Sequence, residues 1–124
     1  MDKKELQERT KKFAIRVIKL VKELEKTSIG RIIGSQLLRA GTSVAANYRA
    51  VCRSKSIKDF IAKLAIVIEE ADESVFWLEI IVESGLMKES FIRNLLGEAN
   101  EITAIMVASR NSSMKNYKLK NFKS

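Results

Sequence analysis

Apolar residues recur at three- and four-residue steps along most of the chain, the spacing of one face of an α-helix. The first run, about 3–25, places Leu6, Phe13, Val17, Leu20, Val21 and Leu24 on one side and lysines and glutamates on the other. Thr27 or Ser28 then offers an N-cap to a second run, about 29–53. Its broad apolar face is Ile33, Leu37, Leu38, Ala40, Val44, Ala45, Tyr48, Val51 and Cys52. Gly30, Gly34 and Gly41 lie in or near this run, and glycine weakens a helix interior. Either another backbone approaches closely there, or the helix breaks at Gly41-Thr42-Ser43. The apolar phase is kept across Gly41, which predicts a continuous or slightly bent helix.

Ser56 followed by Asp59 resembles a capping box and opens a third helix, about 57–84. One apolar stripe is Phe60, Leu64, Val67, Ile68, Ala71, Val75, Leu78 and Val82; a second set, Ile66, Phe76, Trp77, Ile80 and Ile81, lies on a different side. A helix in a monomeric bundle needs one stripe. The second set is either a subunit interface, the favoured reading because Trp suits such contacts, or the other buried side of a central helix. Gly85 suits a C-cap. A fourth helix, about 88–109, carries Phe91, Ile92, Leu95, Leu96, Ala99, Ile102, Ile105 and Met106. Residues 111–124 are polar and basic without periodicity, which predicts a disordered tail. The expected fold is all-α: an antiparallel up-down-up-down four-helix bundle over residues 1–110, assembling as a homo-oligomer.

Composition fits one domain with one core: 124 residues, 46% hydrophobic, no Pro and five Gly. Long helices are expected where Pro is absent. The N-terminus, MDKKELQERTKK, has no apolar core, so no signal peptide is expected, and no window approaches the roughly 18 apolar residues of a membrane span. Cys52 stands alone, so no intrachain disulfide can form. A cytoplasmic location is the expectation.

Charge changes the picture more. The formal net charge is +8. By segment it is +4 for 1–28, +5 for 29–56, −5 for 57–86 and +4 for 87–124. Residues 29–56 hold Arg31, Arg39, Arg49, Arg53 and Lys55 and no acid. On a helix the four arginines fall within about 80° of one another, separated by small residues. Two uses compete. The stripe contacts phosphates, with Lys55 and Lys58 in support, or it pairs with Glu69, Glu73 and Glu79 of a neighbouring helix. Lys115, Lys118, Lys120 and Lys123, interleaved with Tyr117 and Phe122, add a basic tail whose rings could stack on unpaired bases. A solvated tail is the plainer reading.

Little else carries chemistry. There is no His, which removes the commonest general base and transition-metal ligand. Glu69 and Glu73 lie one turn apart, yet bundle di-iron sites pair such acids with Glu-x-x-His, so no metal is expected. No nucleotide-binding glycine loop occurs. Ser43, Ser54 and Ser56 lack an evident base, and Cys52 reads as a packed residue. A non-enzymatic protein without cofactor is expected.

The stretch QLLRAGTSVAANYRAVCRSKSIKDFIAKLAIVIEEADESVFWLEII carries a resemblance. Arg39-Ala40 through Ser43-Val44-Ala45-Ala46-Asn47, then Lys55-Ser56 through Asp59-Phe60, is similar to the signature of the 23S rRNA intervening-sequence proteins. The likeness covers about residues 10–110. It implies a four-helix bundle assembling as a homopentamer. It also implies kinship with the accessory variability proteins of diversity-generating retroelements, basic pentamers that bind nucleic acid and a reverse transcriptase. Many members have no established activity. Tyr48-Arg49 departs from the small-acidic pair usual after Ala-Asn and adds positive charge. The expected function is RNA or RNA/DNA-hybrid binding with little sequence specificity. The alternative is a structural or protein-interaction scaffold, such as an accessory subunit of a reverse transcriptase.

Overall fold

The computed structural model describes residues 1–123, with side chains through Asn121. Four helices follow one another: α1 (Lys3–Leu24), α2 (Ser28–Cys52), α3 (Ile57–Glu83) and α4 (Glu89–Lys123). Each of the first three starts on a side-chain cap. Asp2, Thr27 and Ser56 accept hydrogen bonds from the amides of Glu5, Gly30 and Asp59, satisfying donors the helix itself leaves unpaired. α3 stops at Gly85, whose φ of 78° lets the chain turn left-handed. Its N–H donates to Val82 O and that of Leu86 to Ile81 O, the paired bonds of a Schellman motif.

The short connections force neighbouring helices to run antiparallel. Facing contacts show the register. Gly41 lies against Val17 and Gly34 against Val21. Arg39 reaches Glu70 and Glu73, and Arg9 reaches Glu98 and Glu101. The ring of helices is thereby closed, α1 beside α4.

Each helix contributes an inner stripe at alternating three- and four-residue steps. In α3 it is Leu64, Val67, Ala71, Ser74, Leu78 and Ile81; in α4, Ile92, Leu95, Ala99, Ile102 and Met106. This near-3.5 repeat is the packing of a left-handed bundle. The two polar residues of the core satisfy themselves locally. Thr10 Oγ1 donates to Gln7 O and Ser74 Oγ to Glu70 O. α2 is continuous through its glycines. A Cβ at Gly41 would stand 2.8 Å from Val17 Cγ2, and one at Gly30 would collide with Leu24 O. The glycines are there because α1 comes close.

Two expectations are corrected. The sequence pattern groups Ile81 with an outer interface, but it is fully buried. The inner stripe of α3 runs through Ser74, a polar residue, so the true phase ends at Ile81. The second correction concerns the tail. α4 continues to Lys123, where the sequence predicts an end at Ser109 and disorder over 111–124. No Gly or Pro interrupts 110–123. Met114 and Tyr117 continue the inner face and line a cleft with Lys58 and Ile61 of α3. At about 1.5 Å per residue the 35 residues of α4 span about 52 Å against about 40 Å for the 27 of α3. The side chains of Phe122 and Lys123 lie outside the described residues.

Among the described residues no helix is long and apolar enough to cross a membrane. Cys52 is free, half-buried and packed against the core. Asn47 Nδ2 donates to Ser43 O, one turn back in its own helix.

Candidate nucleic-acid interface

The arginine stripe of α2 does not form one surface. Arg31 donates from Nη1 to Glu25 O at 3.1 Å, closing the α1–α2 turn. Arg39 bridges two carboxylates of α3, Glu70 at 2.9 Å and Glu73. Glu73 also accepts from Trp77 Nε1 at 3.3 Å. The Arg39 guanidinium holds the Glu73 carboxyl below the usual carboxylate range. The positive charge of Arg39 is therefore largely met within the chain. Glu69 and Glu79 are exposed and, among the described residues, form no ion pair with the stripe.

Arg49 and Arg53 lie at the other end of α2. They are exposed and, among the described residues, have no carboxylate within ion-pair distance. Arg49 leans over the α1–α2 groove, where it lines a hollow of about 390 Å³ with Gln7, Glu8, Lys11, Ala45 and Ala46. Of the Tyr48-Arg49 pair, Tyr48 is buried. Burial, followed by its neighbour Cys52, pushes its hydroxyl up to about 12. Arg49 alone faces outward.

The turn after α2 continues this surface. Lys55 and Lys58 are exposed. Lys3, from α1, sits 5.6 Å from the centroid of the Phe60 ring. Asp59, the acid of this turn, is occupied internally. It accepts from Lys63 Nζ at 2.9 Å and from Lys55 N at 3.1 Å, and these bonds hold its carboxyl below the ordinary range. Arg9 is likewise structural. Its guanidinium grips Glu98 in two parallel bonds of 2.8 and 2.7 Å.

Folding gathers charge at one end of the bundle. Residues 1–12, 45–63 and 107–121 meet there because α1 starts, α2 ends, α3 starts and α4 ends at that end. They carry fourteen Lys or Arg against four Asp or Glu, a net of +10. Residues 13–44 and 64–106 carry eight against eleven, a net of −3. Segment by segment, the chain reads as a basic α2 beside an acidic α3. The structure instead polarises the molecule along its axis, with Lys3, Lys11 and Lys118 exposed at the same end. A signal for this exists in the sequence: once an up-down order is accepted, the ends of alternate helices coincide.

Of the residues expected at an oligomer interface, Ile66 and Phe76 are 46% and 49% exposed on the outside of α3. Trp77 and Ile80 are half-buried. Phe76 and Trp77 meet edge to face at 4.9 Å between centroids. Among the described residues no cluster of three His, Cys, Asp or Glu is placed to hold a metal ion.

The fold and surface define a class: a basic, all-helical four-helix bundle with its positive charge at one end. Residues 2–108 match the family model described as 23S rRNA-intervening sequence protein, and the chain belongs to that family. A solved structure is similar over most of its length, a protein of unknown function from the S23 ribosomal protein family of Bacteroides thetaiotaomicron. The two share 28% identity and a TM-score of 0.80 over 85% of this chain and 97% of that one. Among curated proteins nothing matches the chain.

Proposed function

We propose that this protein is a non-enzymatic RNA-binding bundle that grips the phosphate backbone with its basic end and reads little sequence. The observation that carries this is the +10 charge of that end, with Arg49, Arg53, Lys55 and Lys58 exposed and unpaired among the described residues. Phosphate contacts supply affinity without base specificity. Arg fits phosphate through its planar fork of donors. Arg31 and Arg39, already bonded within the chain, contribute less to phosphate binding.

The protein acts as a homo-oligomer, a pentamer in our reading. The outer face of α3 (Ile66, Phe76, Trp77, Ile80) forms the contact and leaves the basic ends free. RNA/DNA hybrids fit the same surface. A second reading, a protein-interaction scaffold or accessory subunit of a reverse transcriptase, is favoured by that same apolar face and by the Arg39–Glu73 pairing.

The test is binding of a structured RNA across a salt series. Affinity is expected to fall steeply with salt. Replacing Arg49, Arg53 and Lys58 together by Ala should weaken binding and flatten the salt dependence. The slope should change by about 0.7–0.9 log units per log unit of salt for each phosphate that is no longer neutralised. Arg31→Ala should change it little. An intact protein that binds no RNA at low salt would leave the scaffold reading in its place.

A further inference from the structure

The α4 extension creates a feature that phosphate binding alone does not use. Where it crosses the start of α3, a cleft of about 240 Å³ opens between Lys58, Ile61, Met114, Tyr117 and Lys118. Its walls are almost wholly carbon: the apolar side chains, the tyrosine ring and the stems of two lysines. Lys58 and Lys118, both exposed, add positive charge to an otherwise apolar slot. Arg110 precedes Met114 and Tyr117 on the same face of α4, spaced four and three residues. Its buried Nε–H has no acceptor among the described residues.

An apolar slot between two cations selects a flat, apolar-faced ligand carrying negative charge on either side. A nucleotide with its base unpaired has that form. Such a base would find the Tyr117 ring to stack on, and its flanking phosphates would find Lys58 and Lys118. A base held in a duplex cannot enter, because both of its faces are already stacked. The volume lies below that of drug-sized pockets, which suits one planar group. The surrounding +10 end makes the charge complementary to nucleic acid rather than to an apolar peptide.

We infer that this cleft takes an unpaired nucleobase, so that the protein prefers single-stranded or unstacked RNA to a continuous duplex. This inference rests on the RNA-binding reading above and adds to it the conformation of the RNA.

The test compares a short oligouridine strand containing one fluorescent purine analogue with an RNA duplex of equal length, both against the full chain. The single strand is expected to bind more tightly, and the analogue to be quenched on stacking. Tyr117→Ala should weaken the single strand about 5- to 150-fold, the range of one base–aromatic stack, and leave duplex affinity unchanged. Tyr117→Phe should retain the preference and the quenching. Lys118→Ala should weaken both ligands. Tyr117 lies beyond the last buried core residue, Met106, so the bundle is expected to keep its helical circular dichroism. Equal binding of strand and duplex, or equal weakening of both in Tyr117→Ala, overturns the inference while RNA binding by the basic end stands. No binding of either ligand overturns both.

Discussion

A Cβ at Gly41 would press on Val17, whereas at Gly97, exposed on α4, it would meet nothing within 4 Å. The same substitution should therefore act in opposite directions at these two positions. Gly41→Ala overpacks the α1–α2 seam and is expected to cost about 1–3 kcal/mol despite the better helix propensity of Ala. Gly97→Ala should stabilise by about 0.5–1 kcal/mol. Urea denaturation of both variants checks this. Glycines inside a helix are visible in the sequence but cannot be ranked there, because the reason for each lies on another helix. The sequence pattern sets Ile81 on the wrong side of α3 for a related cause. α3 carries apolar residues on several sides, and a buried serine on the true inner stripe made a neighbouring phase look better. Ser74 shows that one satisfied hydroxyl can sit in a core without marking a surface.

At the scale of elements, helix number, order and most boundaries were legible from periodicity and caps. The ion pair that joins α1 to α4 was not. Arg9 and Glu98 are 89 positions apart, and nothing local links them. Because Arg9 lowers the folded-state pKa of the part-buried Glu98 carboxyl, the pair stabilises above the unfolded value, near 4. That contribution disappears as pH falls through the depressed folded value. Glu98→Gln is expected to cost about 1–2 kcal/mol at pH 7, and the difference from the parent should shrink towards pH 3. Denaturant titrations at the two pH values measure it. The length of α4 was not legible either, because its last turns have few apolar residues to set a period, although no Gly or Pro stops them. Asn111→Pro should break the helix there. Helical ellipticity should fall while the melting temperature barely moves, since the buried core ends at Met106.

At the scale of the whole molecule, charge summed by segment conceals the main feature. Each helix spans both ends of the bundle, so a per-helix sum averages the basic end with the other. Antiparallel topology sorts the same residues into +10 and −3. Two separate surfaces result: a basic end, proposed above to meet RNA, and an apolar flank on α3, proposed as the subunit contact. Their independence is testable. Phe76→Glu places a charge in the proposed subunit contact and should lower the mass in solution, read by sedimentation, without unfolding a residue that is half exposed.

RNA is proposed to meet the basic end. Mapping of ultraviolet cross-links between a structured RNA and the intact protein tests it most directly. Cross-linked peptides are expected from residues 1–12, 45–63 and 107–121. Cross-links concentrated on the acidic half of α3, residues 69–83, or none at low salt, would contradict it.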